Sequence, residues 1–418
     1  MSINGDVYDL ERTNFAKRIC ADDANLIEVV EVNACPNTET NNIINEILKD
    51  NRFELMYRKQ IEQMSANGTV GCYIRVDDAD YYDGGETRGG KIKLNYCSSL
   101  NIAPITVIND EIVECAFSGY CKIDSKERIA VVIFTKNNGM YTCKSVILND
   151  AGKEIPELTQ ITVLGDVKPF AIMRTAEVNN LDMIGYGYPK LLTAIPNLEI
   201  LDLSMTIWRR DLEKSDKILL VNDSLCERDE KGNIIPMSKE KKKIFVQVGK
   251  DKLPDQDTLI QEYNPTIRIA EISESIEKAL SMLSMSFGFG TRKYTFEAGQ
   301  IMTATEYAGE RQDAMQEINK QRGESINYIT EICEAIRWFY NALYGANLQE
   351  LDVKVDFDDS YIEDRAAIAE SMRNDALSFN IPKLRTWYFM KKYNLTEEEA
   401  AELIEEMPDE GDGSEDEE

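Results

Sequence analysis

Histidine is absent from all 418 residues of the sequence. Its absence excludes Ser-His-Asp and Cys-His catalytic arrangements, histidine-ligated zinc and the iron site built from two histidines and a carboxylate. CxxC pairs are also missing, and the nine cysteines are an odd number, which argues against a disulfide framework and against a zinc ribbon. We therefore expect reduced thiols that pack as small apolar side chains.

Long apolar runs are missing as well. No run approaches the roughly 18 residues that a membrane span needs. Residues 1–15 show neither the basic nor the apolar region of a secretory signal. These patterns predict a soluble protein that is assembled inside a cell.

Positive charge is scarce, because 47 Lys and Arg residues face 75 Asp and Glu residues, for a formal net charge of −28. Phosphate neutralisation supplies most of the affinity of a DNA-binding module, so the protein as a whole should repel nucleic acid. Two alternatives remain: the protein could carry a local basic patch, or it could handle DNA in a role that requires it not to bind tightly. Apolar residues make up 43% of the chain, which is ordinary for a folded protein.

The periodicity of the first half predicts an α+β fold. Helical spacing indicates helices over residues 13–30 and 40–67. Short runs between 69 and 175, separated by turn residues, predict one antiparallel sheet.

The second half is predicted to be largely helical. Helices over 189–214 and 268–287 flank a small unit with two strand-like runs. The irregular segment 291–302 then precedes a helix of about 40 residues, which is roughly 60 Å long. One strand over 351–357 and short helices follow.

Catalytic groups are hard to find in this sequence. No nucleophile and base can be paired, which favours a non-catalytic protein that needs no cofactor and no metal. The acids between Asp356 and Asp364 could hold Mg²⁺ as in a nuclease, although a strand end followed by acids at a helix N-terminus explains them too. The lysines between Lys239 and Lys243 could contact nucleic acid or mark a solvated turn. Arg292 and Lys293 lie in the irregular segment, where they could be functional or plain surface charges.

The order and spacing of several segments resemble the portal proteins of tailed bacteriophages, of the type found in siphophages of Gram-positive hosts. The similarity runs from about Asn14 to Met407. The stretches that carry it are 14–20 with 24–26, 168–170 with 179–182, 194–210, 287–291, 303–306 and 353–359. Members of this type usually carry a further segment before the Asn14 motif.

This resemblance implies a portal-protein fold with an α/β wing, a two-helix stem, a small α/β clip, a long ring-lining helix and a helical crown. The implied regions are the wing, 1–185; the first stem helix, 186–216; the clip, 217–265; the second stem helix, 266–290; the tunnel loop, 291–302; the long helix, 303–345; a return strand of the wing, 346–361; the crown, 362–407; and an acidic, disordered tail, 408–418.

It also implies a closed homo-dodecameric ring at one capsid vertex of the virion, assembled in the host cytoplasm. Double-stranded DNA would pass the ring during terminase-driven packaging and during ejection, in transient and non-specific contact. The other implied partners are the large terminase subunit, the head-tail adaptor, and the major capsid and scaffold proteins, with no membrane and no cofactor.

Two groups of site residues follow from the same resemblance. The DNA-facing residues of the tunnel loop would be Arg292, Lys293 and Tyr294. The partner surface of the clip would be formed by Lys239, Lys241, Lys242 and Lys243. The alternative functions are a different component of phage head assembly, or a Mg²⁺-dependent nucleic-acid enzyme that uses the acids around Asp356–Asp364.

Overall fold

The computed structural model describes most of the chain. The described residues are 2–3, 6–7, 10–81, 87–123, 125–181, 183–215, 218–222, 229–231, 245–248, 260–290, 293–294, 304–358, 374, 382–393 and 400. Helices in this part are α1 (Phe15–Asn25), α2 (Thr38–Asp50), α3 (Phe53–Asn67), α4 (Lys190–Glu213), α5 (Ile269–Ser286), α6 (Ala304–Tyr344) and α7 (Pro382–Tyr393).

Strands in the described part of the chain are short in most cases. They are β1 (Ser2–Ile3), β2 (Asp6–Val7), β3 (Val29–Asn33), β4 (Thr69–Asp77), β5 (Asp80–Tyr81), β6 (Thr87–Arg88), β7 (Lys91–Ser98), β8 (Ile102–Ile108), β9 (Glu111–Ile123), β10 (Lys126–Asn137), β11 (Met140–Leu148), β12 (Gln160–Val163), β13 (Phe170–Arg174), β14 (Ile218–Asn222), β15 (Phe245–Val248), β16 (Ile260–Tyr263) and β17 (Lys354–Phe357).

The chain divides into two compact units, and both draw on separate stretches of sequence. Residues 1–27 and 32–355 form the first unit, while residues 28–31 and 356–418 form the second. In the second unit, the backbone N–H of Asp358 donates to the carbonyl of Glu28 at 2.8 Å. This unit contains helix α7.

The strands between 69 and 175 form two main antiparallel sheets, where the sequence predicted one. Strands β13, β4 and β7 make a three-stranded sheet, and β12, β11, β10, β9 and β8 make a five-stranded sheet. The chain leaves the first sheet at a 3₁₀ turn, Ser99–Asn101, directly after β7. A core of rings and thiols joins both sheets, with Phe170 from the first and Phe117, Phe134 and Tyr141 from the second.

The two predicted N-terminal helices are corrected by the structure. The first helix ends at Asn25 rather than continuing to residue 30, and residues 29–33 form strand β3. The second is two helices, because Arg52 adopts a left-handed φ of 52°. The side chain of Asn51 fixes this break by donating to the carbonyls of Ile47 and Ile92, at 2.8 and 3.0 Å.

Helices α4 and α5 pair along their lengths, as expected for helices over 189–214 and 268–287. The hydroxyls of Ser204 and Ser275 lie 2.9 Å apart between them. Near one end of the pair, Arg268 forms a two-pronged ion pair with Asp211, with both N···O distances at 3.0 Å.

A small three-stranded sheet lies in sequence between helices α4 and α5. Strand β14 pairs parallel to β15 and antiparallel to β16. The sequence predicted the first two strands and missed β16, whose four residues are largely exposed and carry little apolar pattern.

The predicted long helix is confirmed as α6, which has 41 residues. Its C-terminal half is anchored in the first unit by buried side chains such as Tyr328, Ile332 and Ile336. Gln321 fastens it to the chain after β13, since its amide accepts from the backbone N–H of Ala176 and donates to the carbonyl of Arg174, both at 2.9 Å.

Two expectations from composition can be checked on the described residues. The eight described cysteines are all unpaired, and Cys226 lies outside the described part. Within the same residues, no helix has the length and apolar character to cross a membrane.

Candidate functional site

Two adjacent buried acids, Asp22 and Asp23, stand in the last turn of helix α1. The C-terminal end of a helix carries partial negative charge, so acids there are unfavourable unless they have partners. Both acids have such partners: Arg18 of the same helix pairs with Asp22, and the others come from elements further away in sequence.

Asp23 holds the start of helix α4. Its carboxylate lies 3.2 Å from the ammonium of Lys190, and both side chains are buried. It also accepts a hydrogen bond from the hydroxyl of Ser65 on helix α3. The site therefore joins three helices through one carboxylate.

Asp22 contacts Tyr294, in the segment that follows helix α5. Its carboxylate pairs with Arg18 at 3.0 Å and accepts a hydrogen bond from the hydroxyl of Tyr294 at 2.8 Å. The ring of Tyr294 packs edge-on against Phe15, with ring centroids 4.9 Å apart. Helix α1 thus contacts Tyr294 through both a polar and an aromatic interaction.

The turn after helix α5 brings the chain back to this position. Gly288 and Gly290 have φ values of 73° and 78°, a left-handed backbone that glycine adopts without strain. Between them, Phe289 is buried and its ring lies 5.8 Å from that of Phe287. The sequence motif Phe-Gly-Phe-Gly therefore builds an apolar turn.

Lys293 rests on this turn. Its ammonium lies 3.7 Å from the centroid of the Phe289 ring, which is a cation–π contact. Burial lowers the pKa of Lys293, while the nearby carboxylates of Asp22 and Asp23 act in the opposite direction.

Of the predicted tunnel-loop residues, the structure brings Lys293 and Tyr294 together with the acids of helix α1. Arg292 lies outside the described residues. The predicted clip lysines are outside them as well: Lys239, Lys241, Lys242 and Lys243.

The proposed magnesium cluster is described only in part. Asp356 and Asp358 are described, and the other three acids, Asp359, Glu363 and Asp364, are not. Over the described ranges, no group of three or more histidine, cysteine or acidic side chains could hold a metal ion.

Sequence reasoning missed Asp22, Asp23, Lys190 and Phe289 as members of this site. One signal was available, since two acids in the last turn of a helix oppose its dipole and call for cationic or donor partners. Arg18 lies four residues from Asp22 and Ser65 lies 42 residues from Asp23. Lys190 and Tyr294 lie 167 and 272 residues away, and nothing local in the sequence identifies those two.

Comparison with known proteins gives one family match. Residues 13–413 match the family model described as "Phage portal protein, SPP1 Gp6-like". No curated protein matches the chain.

Two solved structures are similar to the chain at low identity. One is titled "Virion of native gene transfer agent (GTA) particle", with 10% identity, a TM-score of 0.43, and coverage of 88% of this chain and 84% of that chain. The other is titled "Neck of native GTA particle computed with C12 symmetry", with 10% identity, a TM-score of 0.43, and coverage of 90% of this chain and 88% of that chain.

Proposed function

The chain belongs to the SPP1 Gp6-like family of phage portal proteins, and from this premise we propose that it forms the portal ring of a phage capsid. In this proposal a closed, dodecameric ring occupies one vertex of the virion. Double-stranded DNA passes through its channel during packaging and ejection. The single observation that carries the proposal is the family match over residues 13–413.

The order of elements supports the assignment of regions. Helices α4 and α5 would form the stem, the small sheet between them the clip, and helix α6 the wall of the ring. The two antiparallel sheets and helices α1 to α3 would form most of the wing. The large terminase subunit and later the head-tail adaptor would bind the clip, whose lysines would be Lys239, Lys241, Lys242 and Lys243. Residues 362–407 would be the crown and would face the capsid interior.

Exposed apolar side chains on the helix pair support assembly into a ring. Helix α4 carries apolar residues on more than one face, which is typical of a helix that packs on several sides. In the single chain Ile200, Met282 and Met285 are 46%, 52% and 61% exposed. Ile200 and Met282 line a groove between α4 and α5 together with Glu271, Glu274 and Lys278. A neighbouring subunit would cover this groove.

The charge of the chain supports a channel that does not bind DNA tightly. Each subunit carries a formal net charge of −28, so a ring of such subunits is strongly acidic. Acidic walls repel phosphates, and DNA would slide past them without a deep binding minimum. Arg292, Lys293 and Tyr294 of the tunnel loop would supply weak, sequence-independent contacts to DNA phosphates.

Native mass spectrometry of the purified protein, with negative-stain imaging of the same sample, tests the ring. We expect a closed ring of about twelve subunits with a central hole, the geometry of a closed cyclic oligomer. Ile200→Asp should abolish the ring and leave a folded monomer, because it places a charge in the proposed interface. Leu100→Asp is the matched control, since Leu100 is 90% exposed in the 3₁₀ turn Ser99–Asn101, far from the groove in sequence.

One result would overturn the proposal: a protein that stays monomeric even when it is produced together with its scaffold and capsid proteins. A ring that forms equally well with Ile200→Asp would leave the ring in place and would remove only the helix pair from the interface.

A further inference from the structure

Three side chains contact residues 293 and 294, and together with these two residues they form a group of five. Phe15 and Asp22 come from helix α1, Phe289 comes from the turn after α5, and Lys293 and Tyr294 complete the group. We name this group the Asp22 clasp. We infer that the clasp is a latch: it keeps the Lys293 ammonium docked on Phe289, and it must open before Lys293 can reach an anionic partner.

The first part of the latch is the contact between Tyr294 and Asp22. The phenol donates to a carboxylate at 2.8 Å, and the side chain of Asp22 is only 7% exposed. Hydrogen bonds to a charged acceptor are about twice as strong as those between neutral groups. Edge-on packing of Tyr294 on Phe15 adds an aromatic contact to the same ring.

The second part is the contact between Lys293 and Phe289. At 3.7 Å from the ring centroid, the ammonium lies well within the about 6 Å that cation–π attraction needs. Phe289 is itself buried and lies between two glycines of the turn, so its ring is a fixed platform. Burial also lowers the pKa of Lys293.

The docked state and an anion-bound state exclude each other. Asp22 accepts a hydrogen bond from Tyr294, the residue next to Lys293, and Asp22 and Asp23 act on the charge of Lys293 against the like charge of Arg18. A phosphate that approached the docked ammonium would compete with these carboxylates and with the Phe289 ring for its charge. Lys293 therefore has to leave the ring and the acids before it can pair with a phosphate. If the proposed function holds, that phosphate belongs to DNA. Only this identification of the phosphate rests on the proposed function.

Hydrogen exchange of the free full-length chain, followed by mass spectrometry, tests the latch. Tyr294→Phe removes one hydroxyl and keeps the ring. The loss of a hydrogen bond to a charged group should speed exchange in the peptide that contains residues 293 and 294 by about tenfold. Tyr186→Phe is the matched control, because the Tyr186 hydroxyl donates to the carbonyl of Ile102 at 2.6 Å, outside the clasp. It should leave the 293–294 peptide unchanged. Equal exchange in wild type and Tyr294→Phe would overturn the latch.

Acetylation of lysines with an amine-reactive reagent tests whether Lys293 is withheld. The rates are compared as those of the neutral amine, taken from a pH series, because the lowered pKa of Lys293 by itself raises its neutral fraction. In the wild type, the neutral amine of Lys293 should react more slowly than that of Lys91, whose side chain is 70% exposed. Tyr294→Phe and Phe289→Leu should each raise its rate several-fold relative to Lys91. Reaction of Lys293 as fast as Lys91 in the wild type would refute the inference.

Both measurements use the free chain without DNA, so they do not depend on the ring. A working latch in a protein that forms no ring would refute the proposed function alone. A ring whose Lys293 reacts freely would refute the latch alone.

Discussion

Replacing Lys190 by Met should destabilise the first unit strongly. The ammonium of Lys190 and the carboxylate of Asp23 are 3.2 Å apart, and their side chains are 7% and 4% exposed. Removal of one partner of such a buried pair typically costs about 3–5 kcal/mol, because the remaining charge stays buried without compensation. Asp23 would keep the hydroxyl of Ser65 as a donor. We therefore expect the lower end of that range, about 3 kcal/mol.

Urea unfolding of wild type and variants, monitored by circular dichroism, measures this effect. Lys91→Met is the matched control, since it removes a lysine from an ion pair with Asp78 whose two side chains are 70% and 77% exposed. Exposed pairs contribute about 0–1 kcal/mol, so the control should change little. The double variant Asp23→Asn with Lys190→Met should recover part of the loss, because no charge is left unpaired. Equal effects of Lys190→Met and Lys91→Met would refute the assignment of a buried pair.

Three further predictions concern backbone and charge. Gly68→Ala should lower the melting temperature in thermal unfolding clearly more than Gly139→Ala does. Both glycines have a left-handed φ, 82° at Gly68 and 85° at Gly139. A Cβ at residue 68 would overlap the carbonyl of Gly187, whereas one at residue 139 would meet nothing within 4 Å. Equal losses would contradict the close crossing at Gly68. Burial raises the pKa of Glu177 in the folded protein. Its contribution to stability is therefore greatest below about pH 4, the usual pKa of a glutamate, and is lost as the pH rises through the pKa of the folded protein. Glu177→Gln should therefore be more stable than wild type at neutral pH, with the gain vanishing in acid, and identical pH profiles in urea unfolding would contradict this. Glu154→Gln should show the opposite sign, because hydrogen bonds lower the pKa of Glu154, and a gain at neutral pH would contradict that assignment.

Elements with a strong local pattern were predictable from the sequence. The apolar spacing of helices α4, α5 and α6 and the turn residues between strands placed these elements to within a few positions. The break at Asn51 and Arg52 was not predictable, because the Asn51 side chain bonds Ile92 and Leu94 on a strand that follows much later. Helical periodicity runs through the break, and tertiary contacts override it.

The candidate site was predictable only as a segment. The irregular stretch after the Phe-Gly-Phe-Gly motif pointed to Arg292 and Lys293, and the family resemblance added Tyr294. Their contacts depend on Asp22 and Phe15, which are more than 270 residues away. No periodicity relates such distant positions, so the clasp could be found only from the fold.

The adjacency of Asp22 and Asp23 has a consequence for engineering the chain. Asp23 fastens Lys190 at the start of helix α4, and Asp22 fastens Tyr294 after helix α5. Consecutive Cα atoms are about 3.8 Å apart, so Lys190 and Tyr294 are held by neighbouring residues of helix α1. The two ends of the segment 190–294 therefore lie close together. Segments whose ends lie close together tolerate transplantation well. The helix pair and its small sheet should therefore be exchangeable as a cassette between relatives, provided that both carboxylates and their two partners are kept.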